Sequence, residues 1–330
     1  MDWGSIFSNA AAAAVGLETV IYALAAIGLN FQFGYAGLLN FGQAAFTAIG
    51  AYGLAIMVSI SGLPFGVGIV VGLVAAALFA VVLGVPTLRL RADYLAIATL
   101  AAGEIVRLLF RSAALGKYTG GSNGLTAFAE GFYSLSPLHG DSYGFGPWRY
   151  SGRMTWVLLV GWALVVLTSL LTWLLVRSPW GRVLKGIRED EDAVRSLGKN
   201  VYAYKMQALV LGGVVGALSG FIFALGRAAV QPDLYGSAFT YFVYTVLLLG
   251  GAARVFGPIV GAAIFWVVLS LTDNLLTQLI GNGYISPSVL SVSQAGQVRF
   301  MLVGLALMLL MIFRPQGIFG DKRELAIDAR

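Results

Sequence analysis

The sequence predicts an all-α, polytopic membrane helix bundle, and three observations carry that expectation. Of 330 residues, 58% are hydrophobic and only 11% charged, against roughly a quarter charged in a soluble globular domain. Apolar runs of about 18 residues or more, enough to cross a hydrocarbon core roughly 30 Å thick as helix, recur through the whole length. The alternating segments of a membrane β-barrel do not occur, so helices, which satisfy their own backbone groups in lipid, are the expected state. One transmembrane domain over residues 1–330 is the result.

Windows of that length place spans at about Ala11 to Leu29, Phe41 to Ile60, Pro64 to Val85, Tyr94 to Ala114 and Met154 to Val176. Four more fall at about Met206 to Leu225, Ala238 to Leu249, Gly257 to Ile280 and Phe300 to Phe313. That makes about nine, within eight to ten, because a broken or re-entrant helix between Asn30 and Gly50 changes the count by one. The first Lys or Arg is Arg89, so the N-terminus lacks the positive region of a secretory signal peptide, and the first run is expected to be retained.

Basic residues give the orientation. Segment 177–205 holds Arg177, Arg182, Lys185, Arg188, Arg195, Lys199 and Lys205, and the tail 314–330 holds Arg314, Lys322, Arg323 and Arg330. The positive-inside bias puts both in the cytoplasm, and the four spans between them satisfy parity. Counting back puts Arg89 and Arg91 inside. The loop 115–153, with only Lys117, Arg149 and Arg153, falls outside together with the N-terminus.

The net charge of +6 does not indicate a nucleic-acid partner, since the basic residues are confined to loops between apolar runs. With no cysteine and one histidine, His139, there is almost no material for disulfides, thiolate chemistry or a metal site. No P-loop occurs: the GK pairs at Gly116 and Gly198 have Arg111 and Ala193 where its first glycine belongs. HExxH, paired cysteines and GxSxG are absent too. An enzyme reading has no catalytic residue to rest on, and any ATP and Mg would be bound by a partner.

Four features could carry function. In segment 177–205, Ser178 and Pro179 read as a helix start. A second short helix is expected near Glu189: Asp190, Glu191 and Asp192 suit its N-terminus, Arg195 its end and Gly198 its stop. Val194 and Leu197 would be its apolar contacts. The segment reads either as a capped, solvated connector or as a docking knob for a soluble partner. Secondly, Glu104, Arg107 and Arg111 lie along one stripe of the fourth span, with Glu104 near mid-membrane and Arg111 snorkelling outward. Such charges mark a translocation path, or form a pair that only fixes packing.

Thirdly, Gly212, Gly216 and Gly220 in the sixth span, and Gly257 and Gly261 in the eighth, recur every four residues. They let helices approach closely and could form a surface on which one helix slides against another. Fourthly, Gly34 and Gly37 lead to Asn40 and Gln43, and Thr119 to Gly124 includes Ser122 and Asn123. Glycine-rich backbone of this kind can unwind and aim N–H or C=O groups at a polar solute, although ordinary turns have the same composition.

The stretch FGYAGLLNFGQAAFTAIGAY (Phe33 to Tyr52) resembles the early signature of the LivM type of branched-chain amino-acid permeases of the ATP-binding cassette superfamily. LRLRADYLAIATLAAGEIVRL (Leu88 to Leu108), TGGSNGL (Thr119 to Leu125) and GRVLKGIREDEDAVRSLGKNVYAY (Gly181 to Tyr204) are similar to it too. So are LLLGGAARVFGPIVGA (Leu247 to Ala262) and FRPQGIFG (Phe313 to Gly320), so the likeness runs in register over nearly the whole chain. It implies a multi-pass permease in a bacterial or archaeal plasma membrane. It also implies a LivH-type second permease, two cytosolic ATPases of the LivG and LivF type and an extracytoplasmic substrate-binding protein. Asp192, Ala193 and Gly198 look like a variant of the cassette permeases' EAA loop, with Asp in place of Glu. The resemblance makes that loop the coupling helix, contacted through Arg188, Glu189, Asp190, Val194, Arg195 and Leu197. Urea and short-chain amide importers use similar permeases and are the alternative within transport. From another class, the alternative is a proton-coupled secondary transporter with Glu104 as carrier, disfavoured by the docking loop and by the lack of convincing inverted halves.

Overall fold

The computed structural model describes residues 2–138, 142–145, 148–282, 292–313 and 317–319. His139 and the tail cations Arg314, Lys322, Arg323 and Arg330 lie outside them. The helices are α1 (Trp3–Val15), α2 (Leu17–Leu29), α3 (Gln43–Ala55), α4 (Phe65–Thr87), α5 (Ala92–Arg111), the single turns α6 (Gly116–Thr119) and α7 (Glu130–Tyr133), and α8 (Gly152–Arg177). After these come α9 (Pro179–Glu189), α10 (Glu191–Ser196), α11 (Val201–Arg227), α12 (Ser237–Gly250), α13 (Gly257–Gly281) and α14 (Val292–Phe313). Strand is marginal: β1 (Leu125–Thr126) pairs antiparallel with β4 (Ala229–Val230), and β2 (Ser142–Phe145) with β3 (Trp148–Ser151).

Among the described residues six stretches are long and apolar enough to cross a membrane: Trp3–Tyr35, Gln43–Ile60, Phe65–Thr87, Gly152–Arg177, Val201–Arg227 and Gly257–Gly281. With α5, α12 and α14 the apolar helical segments number nine, at the positions read from the sequence. Three details differ. The first segment starts at Trp3 rather than Ala11 and breaks at Gly16, whose extended ψ of 177° ends α1 and starts α2. The second starts at Gln43, because 36–42 is not helical. The ninth starts at Val292 rather than Phe300. As the sequence suggests, α12 is short, its 14 residues rising only about 21 Å.

The helices define two faces. On one lie α9 and α10, the Leu88–Arg91 turn and the α12–α13 corner, and there Ile318 N donates to Leu249 O at 3.0 Å. On the other lie the start of α1 and the described residues of the 112–151 connection: Trp148 Nε1 donates to Ser8 O at 3.0 Å, and Asp2 N to Gln278 Oε1 at 2.8 Å. The start of α1 and the described part of the 112–151 connection therefore share a face, and residues 317–319 share the opposite one with α9 and α10.

Helix α11 runs through the centre of the bundle, buried along most of its length. Its glycine stripe explains how. A Cβ on Gly28 of α2 would lie 2.5 Å from Gly212 O, one on Gly216 would lie 2.6 Å from Gln43 Nε2, and one on Gly220 would overlap Thr47 O. Gly257 and Gly261 likewise meet the backbone of Gly250, Gly251 and Val246 at the α12–α13 crossing. All five glycines expected to pack helices sit at close interhelical approaches, where lipid supplies no hydrophobic drive and close van der Waals contact must do the work.

Candidate translocation and coupling site

The continuation of α2 is the unusual part of the bundle. From Asn30 to Tyr35 the helix widens to a π turn, then the chain runs without helix through 36–42 before α3 begins. Non-helical backbone at membrane depth is tolerated only where protein or water satisfies it, and here side chains do so. Phe41 N donates to Thr99 Oγ1 (2.9 Å), Gly42 N to Asn40 Oδ1 (2.8 Å) and Ala44 N to Thr240 Oγ1 (3.0 Å). Tyr244 Oη donates to Asn40 O at 3.0 Å. Asn40 Nδ2 reaches Gln32 Oε1 at 2.6 Å, while Gln32 Nε2 reaches Leu209 O on α11 at 3.1 Å. Gln43 Nε2 donates to Ala25 O at 3.2 Å. Asn30 clamps the α12–α13 corner from both ends of its amide, accepting from Ala253 N and donating to Arg254 O, each at 2.8 Å. Asn30, Gln32, Asn40 and Gln43 are all buried.

The stripe on α5 forms a second cluster. Glu104 Oε2 accepts from Arg107 Nε at 2.8 Å, and its Oε1 accepts from Ser237 N, the first residue of α12, at 3.2 Å. Arg107 Nη1 lies 2.9 Å from Asp233 Oδ1, and Arg111 Nη1 lies 3.4 Å from the same oxygen. Glu104 stands about two turns from the end of α5 and less than one turn past its midpoint, and it caps a neighbouring helix. Arg111, expected to snorkel outward, is half exposed and shares Asp233 with Arg107. Ser122 and Asn123 lie on a single turn of that face, away from the buried amides.

Segment 177–205 forms the expected helix pair with two changes. Pro179 opens α9, but the Ser178 hydroxyl donates back to Leu175 O at 2.6 Å instead of capping. The second helix begins at Glu191, two residues after the expected Glu189, because Asp190 is the cap, its Oδ1 accepting from Ala193 N at 2.9 Å. Arg195 pairs with Asp192 and Glu191, Lys205 pairs with Glu191, and Gly198 ends the pair at φ +75°. Glu189, Asp190, Asp192, Ala193, Arg195, Leu197 and Gly198 are exposed, Leu197 at 78%, and Val194 packs half-buried over Gly186. Beside α10 opens a groove of about 960 Å³ whose rim includes Arg89, Arg91, Arg195, Lys199 and Lys205. Arg188 is exposed like these residues but reaches inward at its tip: its Nη1 donates to Gly34 O at 2.7 Å, tying α9 to the π turn.

The structure thus brings Gly34 and Gly37 against Arg188, joins Asn40 to Gln32 and Gln43 to Ala25 in the interior, and keeps Glu104 and Arg107 in a separate cluster. Asn30, Gln32, Thr99, Asp233, Thr240 and Tyr244 complete these networks, and sequence reasoning misses them. The signal available for them is a polar side chain inside or beside an apolar run.

Residues 12–313 match the family described as "Branched-chain amino acid transport system / permease component". The chain is 32% identical over 315 residues to the high-affinity branched-chain amino acid transport system permease protein LivM of Escherichia coli (strain K12), covering 91% of this chain and 68% of that protein. It is 34% identical to the protein of the same name from Salmonella typhimurium (92% and 69% covered). It is 24% identical to a probable branched-chain amino acid transport permease protein LivM of Methanocaldococcus jannaschii (92% and 91% covered). The match spans nearly the whole chain, the interrupted helix and its polar hub included, and the chain belongs to the branched-chain amino acid transport permease family.

Proposed function

We propose that this chain is one of two permease subunits of an ATP-binding-cassette importer for branched-chain or other neutral amino acids, working by alternating access in a bacterial or archaeal plasma membrane. The observation that carries the reading is the α9–α10 pair: an exposed, acid-capped helix with Leu197 at its tip and a basic groove at its side, on the face opposite the 112–151 connection. In this reading that face is cytoplasmic and the N-terminus extracytoplasmic, in line with the basic loops. Two cytosolic ATPases hold ATP and Mg, one seating α10 in a groove of its own. A LivH-type permease completes the path, and a binding protein delivers solute from outside. Closure of the ATPases moves the coupling helices and biases the bundle between outward-open and inward-open arrangements.

A proton-carrier role for Glu104 is a poorer fit, since both its oxygens are engaged, one by Arg107 and one by a helix N-terminus. The test is reconstitution of the purified assembly in vesicles with ATP inside, its binding protein outside, and leucine, other neutral amino acids and urea as solutes. ATP-dependent uptake of leucine that survives collapse of the proton gradient supports the reading. Uptake of urea alone would reassign the solute, and uptake that tracks the proton gradient without ATP would overturn the mechanism.

A further inference from the structure

The α9 helix touches the interrupted α2 at two points on one face. Near its start Trp180 packs edge-on against Phe31, ring centroids 6.4 Å apart, and Trp180 Nε1 donates to Gln207 Oε1 on α11 at 2.7 Å. Two turns later, Arg188 donates from Nη1 to Gly34 O at 2.7 Å. Gly181, Leu184 and Ile187 are buried between these points, so α9 lies along the π turn rather than hanging from it. The Arg188 stem runs over Gly37, whose φ is +69°; a Cβ there would stand 3.4 Å from Arg188 Cγ and 3.5 Å from its Cα.

The Gly34 carbonyl belongs to the last turn of a helix that stops at Tyr35. The final carbonyls of a helix have no partner within it, and a cation placed there satisfies both the orphan acceptor and the negative end of the dipole. Arg188 thus caps the interruption from another element. A hydrogen bond from a charged donor is stronger than a neutral one, so its presence or absence biases where a π turn ends. The surroundings of Gly34 are rigid: a Cβ on it would overlap Asn30 Oδ1 and come within 2.7 Å of Ala253 N, so the glycine cannot yield without moving Asn30. Asn30 in turn holds the α12–α13 corner, and Gln32 and Asn40 hold α11 and the start of α3.

We propose that Arg188 is a positioning residue that transmits coupling-helix movement into the membrane: displacement of α9 by the ATPase withdraws or advances the guanidinium cap on Gly34, and the end of the interrupted α2 shifts with it. The inference rests on the importer reading above and goes beyond it, because it makes Arg188 an internal link instead of an ATPase contact.

The test uses the full assembly in lipid nanodiscs and vesicles, with Arg188→Met, which keeps the apolar stem, and Arg188→Lys, which keeps a donor. Co-purification of the ATPases, solute moved per ATP hydrolysed, and amide hydrogen exchange of residues 30–40 with and without ATP are measured together. Expected for Arg188→Met are retained assembly, a coupling ratio lowered by at least about fivefold, and exchange of residues 30–40 that no longer responds to ATP. Arg188→Lys restores part of both. Wild-type coupling in the Met variant, an unchanged exchange response in it, or no ATP response in the wild type would each overturn the proposal. So would loss of the ATPases from both variants, which would make Arg188 a docking contact. If the wild-type assembly moves none of the solutes, the importer reading fails, while the exchange comparison still decides whether Arg188 carries the movement.

Discussion

Gly28→Ala adds one methyl group where α2 crosses α11, at a point with no room for it. The new Cβ would stand 2.5 Å from Gly212 O, 2.9 Å from Gln43 Nε2 and 3.1 Å from Gly216 N. Ordinary contact begins near 3.4 Å, so the first approach is about 0.9 Å too close. Two of the three obstructing atoms are backbone, which cannot rotate away as a side-chain tip can. The helices must therefore part by most of an ångström along a stripe that includes Gly216 and Gly220, with loss of dispersion contact on both sides. Overpacking of this kind costs about 1–3 kcal/mol. Purified protein should show a clear drop in thermal unfolding temperature in the same detergent or nanodisc. Gly66→Ala is the control: it lies near the start of α4 with nothing within 4 Å of an added Cβ and should be neutral or slightly stabilising. Unfolding of Gly28→Ala indistinguishable from that of Gly66→Ala would refute the crossing as a close-packed contact. Gly216→Leu discriminates in the same way between sliding and packing. A sliding surface predicts an assembled but inactive complex, whereas the 2.6 Å approach to Gln43 predicts loss of stability before any effect on movement.

Leu197→Asp should abolish co-purification of the ATPases while leaving the unfolding temperature of the isolated subunit unchanged, since this leucine is 78% exposed; retained binding would remove it from the coupling surface. Asn30→Ala removes both hydrogen bonds to the α12–α13 corner and should destabilise the subunit by about 2 kcal/mol or more, read as a shift in thermal unfolding; a shift no larger than that of Gly66→Ala would show the clamp to be dispensable. Tyr133 donates to Leu225 O at 2.6 Å, and burial holds its hydroxyl above the ordinary tyrosine value. The folded state therefore keeps a proton that the unfolded chain releases near pH 10, so stability falls as pH rises past about 10. Tyr133→Phe should lose about 1 kcal/mol near neutral pH and show a shallower alkaline fall, and an unchanged slope would dissociate Tyr133 from it.

Sequence alone determined the solvent, the state and the approximate count of the spans. The free energy of moving apolar side chains into lipid is a sum over residues, and a backbone in hydrocarbon has almost no choice but helix. It also located the helix pair after α8, because Pro179, Asp190 and Gly198 act on their immediate neighbours in the chain. Local rules resolved less well between alternatives of similar strength: Ser178 was equally suited to cap forward, yet bonds back to Leu175.

Only the tertiary structure decided the partners of polar groups inside the bundle. Asn40 and Gln43 were legible as unusual residues beside glycines, but whether they would face a path or each other depended on Gln32, Leu209 and Ala25, brought in by other segments. Asp233 lies 126 residues from Arg107 and has nothing in its own neighbourhood to announce the ion cluster it completes. Arg188 was legible as a coupling-loop contact, but its bond to a carbonyl 154 residues earlier arises only when α9 folds against α2. Hydropathy and capping depend on composition and near neighbours, whereas a buried hydrogen bond depends on which strangers in sequence become neighbours in space, and that is set by packing.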